Sequence, residues 1–289
     1  MNLIKNLTLA SVLFSAFTLI GCGADNTQDN AKNTNTNNTP AQTLKVVKVG
    51  VVGENNEDWK YVKEQVKKDG IDLELVKFAD YTLPNRALNE GEIDLNAFQH
   101  VTYFNTEVSQ KGFKLIRFAD TYISPLGIYS KKIKNVNELA DGATIAIPND
   151  VTNGGRALKV LEQAGLIKLD ASKGYAASVR DIQENSKNLK FYEVDAGNTP
   201  SLLPDVDAAI INSNYCLDNG INPLTDAIFS DVVGNNVASD NPYINIIAVR
   251  EADKDNETYK VIAKAYQTKE VADILLKTYK GANQPVFKY

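Results

Sequence analysis

The 289-residue chain has only two cysteines, Cys22 and Cys216. Two thiols allow at most one disulfide, and none within the chain if Cys22 is otherwise engaged, in which case the apolar core alone must hold the fold. Blocks of Lys or Arg are missing too. The net charge is -5 and the pI near 5.1, with the basic residues scattered, which argues against a nucleic-acid partner. No P-loop ending in Lys-Ser/Thr occurs and no internal repeat is visible, so neither a Walker-type phosphate cradle nor a solenoid is indicated. Histidine is scarce: His100 stands alone, and a lone histidine says little by itself.

What is present begins at the N-terminus. Met1 to Asn6 is a short head carrying one Lys, Leu7 to Ile20 is an apolar and small-residue run, and Leu19-Ile20-Gly21-Cys22 closes it. The run suits a signal-peptide core and is short for a membrane span, with no stop-transfer segment after it. Its ending resembles the lipobox of bacterial lipoproteins. That resemblance implies acylation of Cys22 and a mature chain held at a bacterial membrane, on the periplasmic side or at the cell surface. An ordinary secretory signal ending beside a cysteine is the alternative. With Cys22 acylated, Cys216 has no partner within the chain. Residues 23–43, GADNTQDNAKNTNTNNTPAQT, contain no aromatic residue and no Val, Ile or Leu, so they are expected to form a disordered tether.

Residues 44–289 have ordinary globular composition, enough for one large domain or two of common size. Lys45 to Val52 reads as a buried strand, Trp59 to Lys68 as a helix, Ile71 to Phe78 as a strand, and Leu83 to Asn89 as a short helix before the Gly91 turn. Ile93 to Phe98, Val101 to Gln110 and Phe113 to Phe118 continue as strand, helix, strand. After Pro125, strands are expected at Leu126–Ser130, Thr144–Ile147, Leu189–Val194, Ala208–Ile211 and Tyr243–Val249. Helices are expected at Gly155–Gln163, Asn256–Tyr266 and Lys269–Thr278. Such alternation predicts parallel α/β architecture, with sites at the carboxyl ends of strands. The layout suggests two lobes, with crossings near Ser124–Gly127 and Asn241–Asn245; a single large α/β domain is the alternative.

Four segments carry candidate chemistry. Tyr81, at the end of one predicted strand, and Phe98, His100 and Tyr103, at the end of the next, can line an apolar slot with polar tips. Pro148 to Leu158, PNDVTNGGRAL, runs from a strand into a helix. There Thr152 and Asn153 can cap, paired glycines permit close backbone approach, and free N–H groups with Arg156 can receive an anion. Arg can grip a carboxylate by two parallel hydrogen bonds. Asn212 and Asn245 sit among apolar strand residues and need partners for their amides; Asn212 is equally readable as a helix cap.

These segments, in this order, resemble the methionine-binding lipoproteins of the NlpA family, the substrate-binding components of methionine ABC transporters. The matching elements are the lipobox, Tyr81-Thr-Leu-Pro-Asn, Phe98-Gln-His-Val-Thr-Tyr103, Pro148 through Leu158, Asn212 with Tyr215, and Tyr243-Ile-Asn245, spread over nearly all of the chain after the tether. The resemblance implies a two-lobed, type II-like periplasmic-binding-protein fold, each lobe a mainly parallel sheet flanked by helices. Residues 44–126 with 245–289 would form lobe I, and 127–244 lobe II. It implies L-methionine in the cleft, delivery to a permease with its ATPase, a monomer, and no cofactor, metal or catalysis. Tyr81, Phe98, His100 and Tyr103 would surround the thioether, Arg156 would hold the α-carboxylate, Asn212 and Asn245 would complete the polar end, and Asn153 would also belong to the ligand-binding set. Ser230 to Asp240 is longer than the family pattern leads one to expect, which leaves D-methionine, a methionine derivative or a methionine-containing dipeptide as alternative ligands. Two other classes compete: a cysteine-dependent hydrolase using Cys216 and His100, and a surface antigen or adhesin acting through its exterior.

Overall fold

The structure is a computed structural model describing residues 44–231, 238 and 240–289. The expected signal peptide, the Cys22 lipobox and the 23–43 tether lie outside the described residues, as does most of Ser230–Asp240. Among the described residues no helix is long and apolar enough to cross a membrane.

The chain runs β1 (Lys45–Val52), α1 (Glu57–Val66), β2 (Ile71–Phe78), α2 (Pro84–Glu90), β3 (Leu95–His100), α3 (Val101–Lys111), β4 (Leu115–Asp120) and the short β5 (Tyr122–Ile123). It continues with β6 (Leu126–Tyr129), β7 (Thr144–Pro148), α4 (Val151–Gln163), β8 (Lys168–Leu169), β9 (Ile182–Glu184), β10 (Lys190–Val194), β11 (Ala208–Asn212), α5 (Ser213–Asp218) and β12 (Phe229–Ser230). Last come β13 (Asn245–Arg250), α6 (Glu257–Tyr266), α7 (Lys269–Thr278) and β14 (Gln284–Pro285).

Two five-stranded sheets result, ordered β2-β1-β3-β13-β4 and β10-β7-β11-β6-β12. β1 pairs in parallel with β2 along its whole length, Lys45 opposite Ile71 through Val52 opposite Phe78. In each sheet one strand runs against the rest: β13 is antiparallel to β3 and β4, and β6 to β11 and β12. Both reversed strands directly follow a passage from the other sheet. The architecture is therefore two-lobed and mainly parallel, with β1, β2, β3, β7 and β11 ending where the lobes face each other.

From Val49 onward β1 is buried on both faces because helices cover both faces of its sheet, while Lys45, Val46 and Lys48 stay exposed. On one face Val47, Val49 and Leu73 pack with Trp59, Ile262, Tyr266 and Leu275 of α1, α6 and α7; on the other, Ala87, Leu88 and Phe104 of α2 and α3 cover Ile246 and Ala248. In the second lobe Ile145, Ile147 and Ile210 pack on Ala157, Leu158 and Leu161 of α4. A further cluster joins Val52 to Ala146, Ile211, Tyr215 and Cys216, with Phe78, Tyr81 and Phe98 packed against it, so apolar contact continues between the lobes.

Several boundaries move from the sequence expectation for local reasons. β3 begins at Leu95 rather than Ile93, because the Asp94 amide and carboxylate are both spent on the Lys48 backbone. α4 begins at Val151 rather than Gly155, four residues earlier, because Asp150 is its cap. α2 opens on Pro84 and closes at Gly91, whose φ of +81° suits glycine.

Candidate functional site

The carboxyl ends of β1, β3 and β11 and the starts of α3 and α4 converge on one cleft with about 830 Å³ of empty space, its open mouth included. All eight sequence-selected residues line it: Tyr81, Phe98, His100, Tyr103, Asn153, Arg156, Asn212 and Asn245. They come from both lobes, and the cleft has two chemically different ends.

At one end are rings. Tyr81 stands 5.9 Å from Phe98, 6.0 Å from Tyr103 and 5.1 Å from Tyr215, in tilted and edge-on arrangements. Their hydroxyls are spent on the protein. Tyr81 OH donates to Asn214 Oδ1 at 2.6 Å, Tyr103 OH to the Tyr81 carbonyl at 2.9 Å, and Tyr215 OH to the Ala79 carbonyl at 3.4 Å. The rings are held from below by a buried amide network. Asn85 Nδ2 donates to Gln99 Oε1 at 2.8 Å, and Gln99 Nε2 and Asn96 Nδ2 donate back to Asn85 Oδ1 at 2.6 and 2.9 Å. That network locks α2 to β3, and so fixes Phe98 relative to the loop bearing Tyr81.

At the other end sits Arg156, buried on α4. Its Nε donates to Asp231 Oδ2 at 2.8 Å, its Nη2 to the Ser124 carbonyl at 2.8 Å, and its guanidinium lies 4.0 Å from the Tyr243 ring centroid. Among the described residues Nη1 has no protein partner. Two hydrogen bonds and a stacked ring thus leave this cation one way to face.

His100 caps α3: its Nδ1 accepts from the Tyr103 amide at 3.1 Å. An accepting Nδ1 carries no proton, so the neutral ring carries it on Nε2, which is buried and has no partner among the described residues. Burial first, and the Arg156 charge second, lower the His100 pKa to about 3. The ring is a fixed, uncharged N–H donor, placed between Tyr103 at 6.4 Å and Tyr243 at 5.4 Å. It stands nearer the polar end than the grouping with Tyr81 and Phe98 suggested.

Asn212 occupies the N-cap position of α5 without capping it by its side chain. Its Nδ2 donates to Asn153 Oδ1 at 2.8 Å, and its Oδ1 is buried and unpartnered among the described residues. Asn245 lies opposite His100 in the β3–β13 pairing and faces the same cleft.

Two expectations for the α4 start are overturned. The helix N–H groups are not free for an anion, because Asp150 Oδ1 accepts from the Thr152 and Asn153 amides at 3.2 and 2.9 Å and makes Asp150 the cap. Nor do the paired glycines approach a ligand. They lie within the first turns of α4, where a Cβ on Gly155 would stand 2.2 Å from the Tyr175 carbonyl, so packing of protein on protein demands them.

The Cys216–His100 pair also fails on geometry. Cys216 is fully buried on α5 and does not line the cleft, and burial pushes its thiol up to about 12. A protonated thiol away from His100 has neither the charge nor the base that nucleophilic catalysis needs. Among the described residues no three His, Cys, Asp or Glu side chains cluster as metal ligands.

Sequence reasoning missed Asp231, Asn214 and Asp58. Asp231 and Asn214 reach the site through partners 75 and 133 positions away, and no local pattern announces such pairings. Asp58 lies on the cleft wall, its carboxylate accepting from Tyr266 OH at 2.6 Å and Tyr279 OH at 2.9 Å.

Residues 47–287 match the family model of the NlpA lipoproteins. The chain belongs to the NlpA lipoprotein family. A probable D-methionine-binding lipoprotein, MetQ, of Pasteurella multocida is 48% identical over 216 residues, which are 74% of this chain and 76% of that protein. The D-methionine-binding lipoprotein MetQ of Escherichia coli (strain K12) is 38% identical over 281 residues, 96% of each chain. Among solved structures, a nutrient-binding protein of Burkholderia cenocepacia bound to methionine superposes with a TM-score of 0.78 at 43% identity, covering 83% of this chain and 100% of that one. This NlpA member thus shares the two-lobed binding fold with relatives named for methionine.

Proposed function

We propose that this protein is the lipid-anchored substrate-binding component of an ABC importer, closing on methionine between its lobes and passing it to a permease driven by its ATPase. The observation that carries the reading is the division of the cleft. One end offers apolar ring faces whose hydroxyls are already satisfied. The other offers a strapped guanidinium, a neutral N–H donor at His100 and an unpartnered acceptor at Asn212 Oδ1. An α-amino acid with an unbranched apolar side chain supplies the missing partners: a carboxylate for Arg156 and His100, an ammonium for Asn212, and a thioether for the rings. Sulfur against aromatic faces contributes about 0.3–1.5 kcal/mol. The relatives named for methionine support the same ligand, with L-methionine the first choice and D-methionine, a derivative or a methionine-containing dipeptide the alternatives. We read the cleft as holding its ligand without reacting with it, since His100 Nδ1 is spent on capping α3 and the Cys216 thiol does not line the cleft.

The test is thermal unfolding of ligand-stripped, acyl-free protein starting after Cys22, against all common amino acids. At ligand concentrations about a hundredfold above Kd, stabilisation of about 2.7 kcal/mol is expected for methionine. An unchanged melting temperature across the whole panel rejects the reading. Intact mass of the membrane-extracted protein checks the anchor: a mature N-terminus without acyl mass on Cys22 removes that part of it.

A further inference from the structure

The charge arrangement around Arg156 goes beyond holding a carboxylate. A lone buried guanidinium would attract any anion of suitable shape. Here the Arg156 and Asp231 side chains are only 6% and 14% exposed, and they form an ion pair of 2.8 Å inside the protein. Asp231 is itself held, because its Oδ1 accepts from the Leu126 amide at 2.7 Å. Its charge therefore stays beside the guanidinium whether or not a ligand is present. The one carboxyl group among the described residues lining the cleft, Asp58, has no cation bonded to it, rests on two tyrosine hydroxyls, and is raised above the usual carboxylate range by burial. At the aromatic end the nearby charges are also carboxylates: burial first, and then Glu107, Asp150 and Asp80, raise the Tyr103 hydroxyl. His100 adds a donor and no charge, because its Nδ1 is spent on capping α3. No net positive charge is left to receive an anion. The one buried, unpartnered acceptor that lines the cleft, Asn212 Oδ1, asks for a donor.

We propose that Asp231 determines the charge specificity of the cleft: by cancelling the Arg156 charge it makes the site require a ligand carrying its own cation, an α-amino acid zwitterion, and reject the same skeleton bearing a carboxylate alone. Asp231 acts through Arg156 and is a positioning residue as well, since it fixes which guanidinium nitrogen faces the ligand. The inference rests on the methionine reading above and deepens it.

The experiment compares L-methionine with 4-(methylthio)butanoate, its desamino analogue, by calorimetry on the ligand-stripped protein. The wild type is expected to prefer L-methionine by about tenfold or more, a difference of at least about 1.4 kcal/mol. Asp231→Asn keeps the volume and one acceptor but removes the charge. It should narrow that ratio by about threefold or more, chiefly through tighter binding of the desamino acid, while Asp231→Glu should preserve it. A merely structural role would weaken both ligands together and leave the ratio unmoved. If the wild type binds L-methionine but discriminates less than about tenfold, or if folded Asp231→Asn leaves the ratio within about threefold of the wild type, the inference is wrong and the methionine reading stands. Should Asp231→Asn fail to fold, the salt dependence of the wild type decides: a cancelled site binds the desamino acid almost independently of ionic strength, whereas a net cationic one loses affinity steeply as salt rises. If L-methionine does not bind at all, both fall.

Discussion

The two ends of the cleft differ in how far the protein satisfies its own polar groups. At the aromatic end the Tyr81, Tyr103 and Tyr215 hydroxyls all donate to other protein atoms, so only ring faces remain for a ligand. At the polar end His100 Nε2 and Asn212 Oδ1 are buried without partners among the described residues, and Arg156 keeps one nitrogen uncommitted. Buried polar groups without partners are costly, so an end that tolerates them is built for a partner that arrives later. The satisfied end selects by shape and apolar contact, and the unsatisfied end by charge and hydrogen bonds.

That contrast can be broken. The largest effect is expected for Arg156→Ala. Calorimetry should show methionine affinity falling by at least about a hundredfold, because a charge-assisted pair is lost, and denaturation should show a loss of about 3–5 kcal/mol, because Asp231 is left buried and alone. Unchanged affinity would mean the anchor lies elsewhere.

His100 sharpens the contrast through pH. Its folded pKa of about 3 lies below its unfolded value near 6.5. Below pH 6.5 the unfolded chain takes up a proton that the folded one refuses. Stability present at neutral pH is therefore lost as pH falls towards 3, at up to about 1.4 kcal/mol per pH unit. Urea unfolding at a series of pH values should show that slope in the wild type and a shallower one in His100→Asn. Parallel slopes would show that His100 is not held neutral.

Asn212→Ala should weaken methionine binding by about ten- to a hundredfold, the range for losing a hydrogen bond to a charged group, with little change in melting temperature. Tyr81→Phe keeps the ring and removes a hydroxyl that serves Asn214. Affinity should stay within about tenfold of the wild type, while stability drops by about 1 kcal/mol. If Tyr81→Phe cost as much affinity as Asn212→Ala, the two ends would not differ as described.

Much of this was legible before any tertiary structure. Strands and helices followed from periodicity because each buries one face or both, and α7 (Lys269–Thr278) matches its expected bounds at both ends. All eight selected residues line the cleft because in parallel α/β folds the strand ends that carry them share one edge. The errors fell where long-range contacts decide local geometry. The glycines of α4 looked like ligand contacts, and Asp150 was passed over as the cap in favour of Thr152 and Asn153. The sequence does not show that His100 Nδ1 is spent on capping α3 through the Tyr103 amide, a contact only the folded chain reveals.

The sequence by itself determined the alternating α/β class, the family resemblance, and the residue types gathered in the cleft, because periodicity and motif order are local and survive without coordinates. Only the tertiary structure decided the protonation of His100, the neutralisation of Arg156 by Asp231, and which polar atoms are left over. Those properties depend on burial and on partners brought together from 32 to 75 positions away, and electrostatics in a buried site is set by distance in space, not by distance along the chain.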